Sequence, residues 1–258
     1  MTIGVIGTGA IAAAIVEGLS TDDKSAPDIL LSPRNAEIAA SLAARFANVS
    51  VAASNQAVLD GSGMVLIAVR PQVAADVLKD LAFRADHHVV SLMAIIGLDE
   101  VKAMASPAER VTRVIPLPST AQRMGPTPVF PPDKEAAALF NRLGVAIEVE
   151  TAAEFDALSA ATASMASVFT FAETIAHWLA GQGIAYPDAR RFVATMMRGL
   201  TNTAMLNAEA SFAELADEHT TAGGINEQVV KHLQDKGAFH QLSEGLDAVL
   251  KRFKDAAG

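Results

Sequence analysis

The chain has 258 residues, with 20 Lys and Arg against 29 Asp and Glu, so its formal net charge is −9. This acidic balance argues against a protein that mainly coats nucleic acid or an anionic membrane, because both surfaces attract basic proteins. Cysteine is absent, which excludes disulfides, a thiolate nucleophile and thiolate-bound metal or iron–sulfur sites. The length predicts one large domain or two modest ones.

No stretch is predicted to span a membrane. The most apolar span, residues 152–181, carries Glu154, Asp156, Glu173 and His177, and charged groups are costly at bilayer depth. The chain does not open on a basic segment followed by a long apolar run, so no signal peptide is predicted. We expect a soluble protein of the cytoplasm, a compartment that the lack of cysteine also fits.

Up to about residue 150, short β-branched runs alternate with helical patterns. Strands are predicted at residues 3–6, 29–31, 49–51, 64–69, 88–92, 111–115, 127–130 and 145–149. Helices are predicted between the early strands, at residues 10–19, 36–46 and 73–81. This alternation indicates right-handed βαβ units and a parallel sheet with helices on both faces.

Beyond residue 150 the strand pattern stops. Helices are predicted at residues 152–181, 187–206, 212–216, 224–234 and 239–253, with Gly or Pro near their ends. The predicted fold class is therefore α/β, with a Rossmann-type sheet domain at residues 1–150 and an all-α domain at residues 151–258.

A glycine-rich motif joins the first strand to the first helix. Gly7-Thr8-Gly9-Ala10-Ile11-Ala12 has the form G-x-G-x-x-A. The first glycine permits a tight turn, the second lets a pyrophosphate approach the backbone, and the alanine lets the helix pack on the strand. The free N–H groups of the helix start favour phosphate. This context favours dinucleotide binding by the first five residues of the motif over a turn without a ligand.

The end of the second strand selects the dinucleotide. An NAD site places Asp or Glu there to bind the ribose 2′-OH, whereas this chain has Leu31-Ser32-Pro33-Arg34-Asn35. Ser32 and Asn35 can donate hydrogen bonds, and Arg34 can pair with a 2′-phosphate. The missing carboxylate favours NADP(H) over the alternative that Arg34 is an ordinary surface residue.

Several further segments carry a family resemblance. They are residues 3–9, Ala68-Val69-Arg70-Pro71-Gln72, Val90-Ser91-Leu92-Met93-Ala94, Arg113-Val114-Ile115-Pro116 and Phe155-Asp156-Ala157-Leu158-Ser159-Ala160. Over nearly its full length the chain resembles the pyrroline-5-carboxylate reductases, within the 6-phosphogluconate dehydrogenase-like superfamily. The resemblance implies NADPH-dependent reduction of a cyclic imine carboxylate, as in proline synthesis. It also implies cofactor contacts from Ala68, Val69, Arg70 and Pro71, and a homodimer or higher homo-oligomer built on the helical domain.

Three segments depart from that family's pattern. Pro116 is followed by Leu117-Pro118-Ser119 in place of Asn-Thr-Pro, so an amide near the nicotinamide is lost. The family's helix break Gly-Ser-Gly-Pro-Ala becomes Thr162-Ala163-Ser164-Met165-Ala166, which we expect to continue as regular helix. The family's substrate loop Ser-Pro-Gly-Gly-Thr-Thr becomes Thr221-Ala222-Gly223-Gly224-Ile225-Asn226.

The glycine pair of this loop precedes a predicted helix. Backbone N–H groups at Gly223, Gly224 and Ile225 can hold a substrate carboxylate, although a capped turn between helices would look the same. As the catalytic polar residues next to the substrate we predict Ser164, Thr220, Thr221 and Asn226.

A proton donor is harder to identify. His87 and His88 are predicted at the surface, whereas His219 precedes the loop and could protonate a substrate or cap a helix. No spacing of histidines and carboxylates indicates a metal site. The chain has no Lys between Lys134 and Lys231, which disfavours alcohol oxidation by a helix lysine. Two alternatives remain open: a reductase for a different imine or keto acid, and a non-catalytic NADP-binding paralog.

Overall fold

The computed structural model describes residues 2–21 and 25–257, with side chains up to residue 255. Contacts between Cα atoms divide the chain into two compact units. The first runs from the first strand to Ser159 and takes in the end of the last helix from Arg252, and the second is Ala160–Lys251. The change from strands to helices therefore lies close to this division, while the predicted boundary at residue 150 stays a prediction.

The first unit is built on a single sheet. In the described residues its strands are β1 (Thr2–Ile6), β2 (Asp28–Leu31), β3 (Val49–Val51), β4 (Met64–Ile67), β5 (His88–Ser91), β6 (Arg110–Val114), β7 (Gly125–Phe130) and β8 (Gly144–Glu148). Their order across the sheet is β3-β2-β1-β4-β5-β6-β7-β8. Neighbours up to β6 are parallel, β7 is antiparallel to β6, and β8 is parallel to β7. Each predicted strand is present to within two residues at either end, and the α/β fold is confirmed.

Helices join the strands of this unit. They are α1 (Ala10–Ser20), α2 (Ala36–Arg45), α3 (Asn55–Asp60), α4 (Pro71–Leu78), α5 (Leu98–Met104) and α6 (Lys134–Asn141), with a 3-10 turn at Pro118–Gln122. The sequence analysis missed α3, α5 and α6, because helices of six to eight residues are too short for apolar periodicity to reveal. Their caps were the available signal, since Ser54 and Asp133 accept N–H groups of the first turns of α3 and α6.

The core of the first unit lies on both faces of the sheet. Met64 and Leu66 of β4 point into one buried apolar cluster, and Val65 and Ile67 of the same strand point into the other. Successive side chains of a strand face opposite ways, so a strand that is apolar at every position must be covered on both sides. Helices α1, α2 and α6 cover one face, and α3, α4 and α5 cover the other.

The remaining helices follow β8. They are α7 (Ala152–Ala161), α8 (Met165–Gly181), α9 (Tyr186–Leu206), α10 (Phe212–Glu218), α11 (Ile225–Asp235) and α12 (Ala238–Ala257). All were predicted in outline, but the expected regular helix through residues 162–166 was wrong. A 3-10 turn at Thr162–Ser164 separates α7 from α8. The hydroxyl of Ser164 donates to the carbonyl of Ala161 at 2.8 Å, a side-chain bond to the preceding turn that competes with helical backbone bonding.

The second unit exposes much of its apolar surface. Its buried centre is small and consists of Ala176, Ala189 and Val193, where α8 packs on α9. Large side chains on the same helices and beyond face outward, among them Phe169, Trp178, Phe192, Met205, Leu206 and Phe212, each at least 62% exposed. By length and composition alone, Ala152–Gly181 could also cross a bilayer. Apolar surface of this extent marks a face that another surface covers.

Candidate functional site

The sheet has one point where the chain order reverses. Strand β1 lies between β2 and β4, and all three are parallel. The connections after β1 and β4 therefore leave the sheet toward opposite faces and open a crevice at the carboxyl ends of the strands, where α/β folds bind dinucleotides. The glycine motif follows β1, Arg34 follows β2, and Ala68-Val69-Arg70-Pro71 follows β4. The predicted cofactor residues are thus brought to one edge of the first unit.

Gly7 makes the tight turn at the end of β1. Its φ is +97°, a conformation that side-chain-bearing residues rarely adopt. A Cβ on Gly7 would also lie 2.7 Å from the carbonyl oxygen of Ala68. The backbone after β1 and the backbone after β4 therefore touch at a position where only glycine fits.

Gly9 is open where Gly7 is crowded. A Cβ at Gly9 would meet nothing within 4 Å, although Gly9 has an extended conformation that any residue can adopt. Gly9 is the N-cap of α1, and no side chain caps that helix in the described structure. The N–H groups of the first turn are therefore left for a ligand, while Ala12 behind them is buried on the sheet. The residues present fit a pyrophosphate at this turn.

The buried hydroxyl groups of Ser32 and Thr8 form hydrogen bonds that fix the turn after β1. The Oγ of Ser32 accepts the N–H of Gly7 at 3.0 Å, and the Oγ1 of Thr8 donates to the carbonyl of Ser32 at 3.1 Å. The amide of Asn35 donates to the carbonyl of Thr8 at 2.9 Å. Ser32 and Thr8 are almost fully buried, so both fix the shape of the phosphate turn. A direct contact of Ser32 with the cofactor stays a prediction.

Two arginines at this edge are unpaired. Arg34 and Arg70 are exposed, and neither forms a hydrogen bond or ion pair with the described residues. Each of the other arginines between β1 and Ser159 has a hydrogen-bond partner; these are Arg45, Arg84, Arg110, Arg113, Arg123 and Arg142. The free guanidinium groups follow β2 and β4, on either side of the glycine turn, and give this edge the charge that an anionic ligand needs.

The predicted substrate residues lie together in the second unit, in the turn between α10 and α11. The N–H of Gly223 donates to the Oε2 of Glu227 at 2.6 Å, and the N–H of Gly224 donates to the carbonyl of Thr221 at 2.8 Å. Of the three N–H groups proposed to hold a carboxylate, that of Ile225 alone has no partner among the described residues. The carboxylate of Glu227 therefore already occupies one of the N–H groups that were predicted to bind the substrate.

The polar side chains near this loop also have partners. The hydroxyl of Thr220 donates to Ala216 at 2.7 Å, and the amide of Asn226 donates to the carbonyl of His219 at 2.7 Å. Ser164 lies in the 3-10 turn before α8. Thr221 packs against Gly224, where a Cβ would come within 2.5 Å of the threonine Oγ1. Their catalytic roles stay predictions.

Sequence reasoning missed Glu227. Its signal was available, since a carboxylate in the first turn of a helix commonly reaches back to N–H groups before the helix. His219, in contrast, has the capping contact that was one of its two predicted roles. Its Nδ1 donates to the carbonyl of Leu215 at 2.8 Å, which leaves Nε2 for any proton exchange.

The prediction that His87 and His88 lie at the surface was wrong. Both are buried, at 0% and 4% exposure. His88 begins the interior strand β5, and the ring of His87, just before β5, packs edge-on against Phe83. Burial lowers the pKa of both imidazoles. The ring of His87 accepts the N–H of Arg84 and contacts the carbonyl of Leu59, each at 3.0 Å.

His88 lies beside an ion-pair cluster at the amino end of the sheet. Its nitrogens are 3.4 Å from Asp133 and 3.6 Å from Glu135. Arg110 binds both carboxylates, at 2.6 Å and 2.5 Å. Parallel strands bind their ligands at the opposite, carboxyl edge, so this cluster is a structural feature of the first unit.

Comparison with known proteins gives a match in each half. Residues 2–95 match the family described as NADP oxidoreductase coenzyme F420-dependent, and residues 152–256 match the pyrroline-5-carboxylate reductase dimerisation family. The pyrroline-5-carboxylate reductase of Pseudomonas aeruginosa is 27% identical over 99% of this chain and 96% of its own length. Pyrroline-5-carboxylate reductase 3 of Rattus norvegicus is 28% identical over 98% and 95%.

Solved structures agree with the sequence comparisons in fold. The chain is similar to a pyrroline-5-carboxylate reductase from Coxiella burnetii, with a TM-score of 0.86, 22% identity and coverage of 99% and 98% of the two chains. The TM-score to the NADP-bound pyrroline carboxylate reductase of Plasmodium falciparum is 0.83, at 15% identity and coverage of 100% and 98%. The two family matches follow one another along the chain, and the curated relatives align over nearly its whole length, so this chain is similar to pyrroline-5-carboxylate reductases in both halves.

Proposed function

We propose that the protein is an NADP(H)-dependent oxidoreductase that reduces a small cyclic imine carboxylate, 1-pyrroline-5-carboxylate, to proline. The observation that carries the proposal is the open turn at Gly9 with the unpaired Arg34 and Arg70 on either side. This phosphate-ready edge belongs to a chain whose full-length relatives are named pyrroline-5-carboxylate reductases. The curated relatives act on a C=N bond, which makes this chain an oxidoreductase of the same type.

The residues at the carboxyl edge of the sheet would hold the cofactor. Residues 7–11 would bind the pyrophosphate through backbone N–H groups. Arg34 would pair with the 2′-phosphate, and Arg70 would add positive charge after β4. When bound, NADPH supplies the hydride that reduces the imine carbon. The hydrogen bond that Ser32 accepts from Gly7 and the one that Asn35 donates to Thr8 keep the turn in shape.

The loop between α10 and α11 would hold the substrate carboxylate. The free N–H of Ile225 and the hydroxyl of Thr221 are its available donors. A carboxylate that also used the N–H of Gly223 would have to displace Glu227. A protonated imine is already electrophilic, so positioning matters more than proton transfer. Where a proton must be exchanged, the Nε2 of His219 is the atom left open beside the loop.

The helical unit supports assembly. Its exposed apolar residues on α8 and α9 include Phe169, Trp178 and Phe192, and residues 152–256 match a dimerisation family. A second copy of the chain that covered these residues would remove them from water. We therefore propose a homodimer, and with it a soluble protein of the cytoplasm.

The test is turnover with defined imines. The full-length protein is mixed with NADPH and 1-pyrroline-5-carboxylate, the loss of NADPH absorbance is followed, and proline is identified by mass spectrometry. We expect proline in amounts equal to the NADPH consumed. Tight NADPH binding without turnover of 1-pyrroline-5-carboxylate or of other cyclic imines and keto acids would overturn the proposal and favour the non-catalytic paralog.

A further inference from the structure

A cavity of about 340 Å³ lies in the first unit, at the carboxyl ends of β5 and β6. Its walls come from the turn after β5, the start of α5, the strands β6 and β7, α7 and the end of α12. In the described chain its lining includes none of the residues assigned above to cofactor or substrate. The lining residues that matter here are Leu98, Glu100, Arg113, Phe130, Asp156 and Phe253.

Arg113 lines this cavity, and one of its hydrogen-bond donors has no partner among the described residues. Its side chain is buried, with 4% of the residue exposed. One Nη donates to the carbonyl of Ala94 at 2.8 Å, and the guanidinium carbon lies 4.5 Å from the ring centre of Phe155. The Nε is buried and has no hydrogen-bond partner among the described residues. Because buried donors are almost always paired in folded proteins, this atom points to an acceptor that the chain does not supply.

Asp156 is the carboxylate that acts on Arg113. Its charge raises the pKa of that guanidinium, against the lowering by burial, which is the larger influence. The two side chains do not form an ion pair within 4 Å in the described structure, and Asp156 is only partly buried. A cation and an anion therefore line one cavity, each with unused hydrogen-bonding capacity.

The charges of the lining restrict the occupant. Glu100 and Asp156 face the single lining cation Arg113, while the carboxylate of Asp99 is 99% exposed and pairs with Lys102 at 4.0 Å. A simple anion would still meet more negative than positive charge in this cavity. A simple amine would leave the Nε of Arg113 without its acceptor. A molecule with one carboxylate and one ammonium group satisfies both sides.

The rest of the lining is apolar. Leu98, Phe130 and Phe253 offer side chains that can cover an aliphatic or aromatic group. We propose that this cavity binds a zwitterionic α-amino acid with an apolar side chain, with its carboxylate on Arg113 and its ammonium group on Asp156. This site goes beyond the proposed reaction, because the loop proposed for the substrate belongs to the other unit.

Calorimetric titration of the full-length protein with L-leucine tests the site. Two matched compounds, 4-methylpentanoate and 3-methylbutylamine, each lack one of the two charged groups. We expect saturable binding of L-leucine, and binding at least about tenfold weaker for both analogues, since each loses a charge-assisted contact. Absence of saturable L-leucine binding, or binding of 4-methylpentanoate as tight as that of L-leucine, would overturn the proposal.

Two substitutions locate the binding. Asp156→Asn keeps the shape of a partly exposed side chain, and Arg113→Gln removes the guanidinium; each is expected to weaken L-leucine binding at least about tenfold. Asp80→Asn and Arg45→Gln change exposed charges elsewhere in the same unit and should bind as the unaltered protein does. If Arg113→Gln fails to fold, Asp156→Asn decides alone, and wild-type affinity in that variant removes the site. None of these outcomes depends on imine turnover, so this inference and the proposed function can fail separately.

Discussion

The two turns that are predicted to bind ligands differ in how their backbone N–H groups are used. At Gly9 the start of α1 has no side-chain cap and open space in front of it. At Gly223 and Gly224 the N–H groups are bonded within the loop, one of them to the carboxylate of Glu227. The first turn leaves N–H groups free for an anionic ligand. In the second, the Glu227 carboxylate already binds one N–H group. Similar glycine-rich sequences therefore form a turn with free N–H groups in the first unit and a turn with hydrogen-bonded N–H groups in the second.

The largest effect should come from closing the open turn. Gly9→Ala adds a methyl group where nothing lies within 4 Å and where the backbone is allowed for alanine. We expect unchanged stability but NADPH affinity lower by about a hundredfold, close to 2.7 kcal/mol, because the pyrophosphate loses its approach. Fluorescence titration measures it. Gly63→Ala, also in open space, is the control, and NADPH affinity close to wild type in Gly9→Ala would refute the assignment of this turn.

Removing the charge beside the open turn should have a smaller effect. Arg34→Ala is expected to weaken NADPH binding at least about tenfold and to leave NADH binding nearly unchanged, since only NADPH carries the 2′-phosphate. Titration of both cofactors checks this. Arg45→Ala removes a surface arginine that pairs with Glu17 and should change neither affinity. Equal losses for NADPH and NADH would show that Arg34 does not recognise the 2′-phosphate.

In the loop between α10 and α11, removal of the Glu227 charge is expected to improve substrate binding. Glu227→Gln should lower the KM for 1-pyrroline-5-carboxylate by about two- to fivefold, because the substrate carboxylate no longer competes with an ion for the N–H of Gly223. The KM for 1-pyrroline, which has no carboxylate, should stay the same. Initial rates with both imines measure the difference. Glu218→Gln, an exposed carboxylate at the end of α10, is the control; a higher KM in Glu227→Gln would show that the carboxylate only braces the loop.

The smallest expected effect is a pH dependence of stability. It arises from two buried histidines of the first unit, whereas exposed histidines of the second unit should not contribute. Burial lowers the pKa of His87 and His88 in the folded protein, against about 6.5 when unfolded. Their contribution to stability is therefore complete above pH 6.5 and is lost as the pH falls from there toward the folded values. We expect the free energy of unfolding to fall by on the order of 1 kcal/mol between pH 7.5 and 5.5.

Urea unfolding across that range measures this slope. His88→Gln should flatten it, whereas His240→Gln, on an exposed face of α12 beside Glu244, should leave it unchanged. A slope that His88→Gln does not alter would mean that burial of this imidazole makes no contribution to the acid sensitivity.

The sequence predicted the sheet well because its interior strands are apolar at every position. Met64 to Ile67 can be placed as a strand buried on both faces without reference to any distant residue. The short helices were missed, since a helix such as Asn55–Asp60 has fewer than two turns in which a period can show. The predicted cofactor residues could be proposed from pattern alone, because a turn between a strand and a helix is local in sequence; their binding role stays a prediction.

What could not be predicted depends on side chains from elsewhere in the fold. The burial of His88 follows from strand order, which the residues of β5 do not encode. The Nε of Arg113 without a hydrogen-bond partner, on β6, and the nearby carboxylate of Asp156, on α7, come together only in the folded chain. The helix break at Thr162–Ser164 was missed because the segment has no Gly or Pro; its serine and threonine hydroxyls were the remaining signal.

The hydrogen bond from Gly7 to Ser32 also constrains how the cofactor preference can change. An acidic residue at the end of β2 is the usual means of selecting NAD, but Ser32 is fully enclosed and its hydroxyl supports the phosphate turn. An aspartate at that position would bury a negative charge in an enclosed site and would be larger than the serine that the turn at Gly7 packs against. Evolution or engineering toward NAD is therefore confined to the exposed positions after Ser32, with Arg34 first among them.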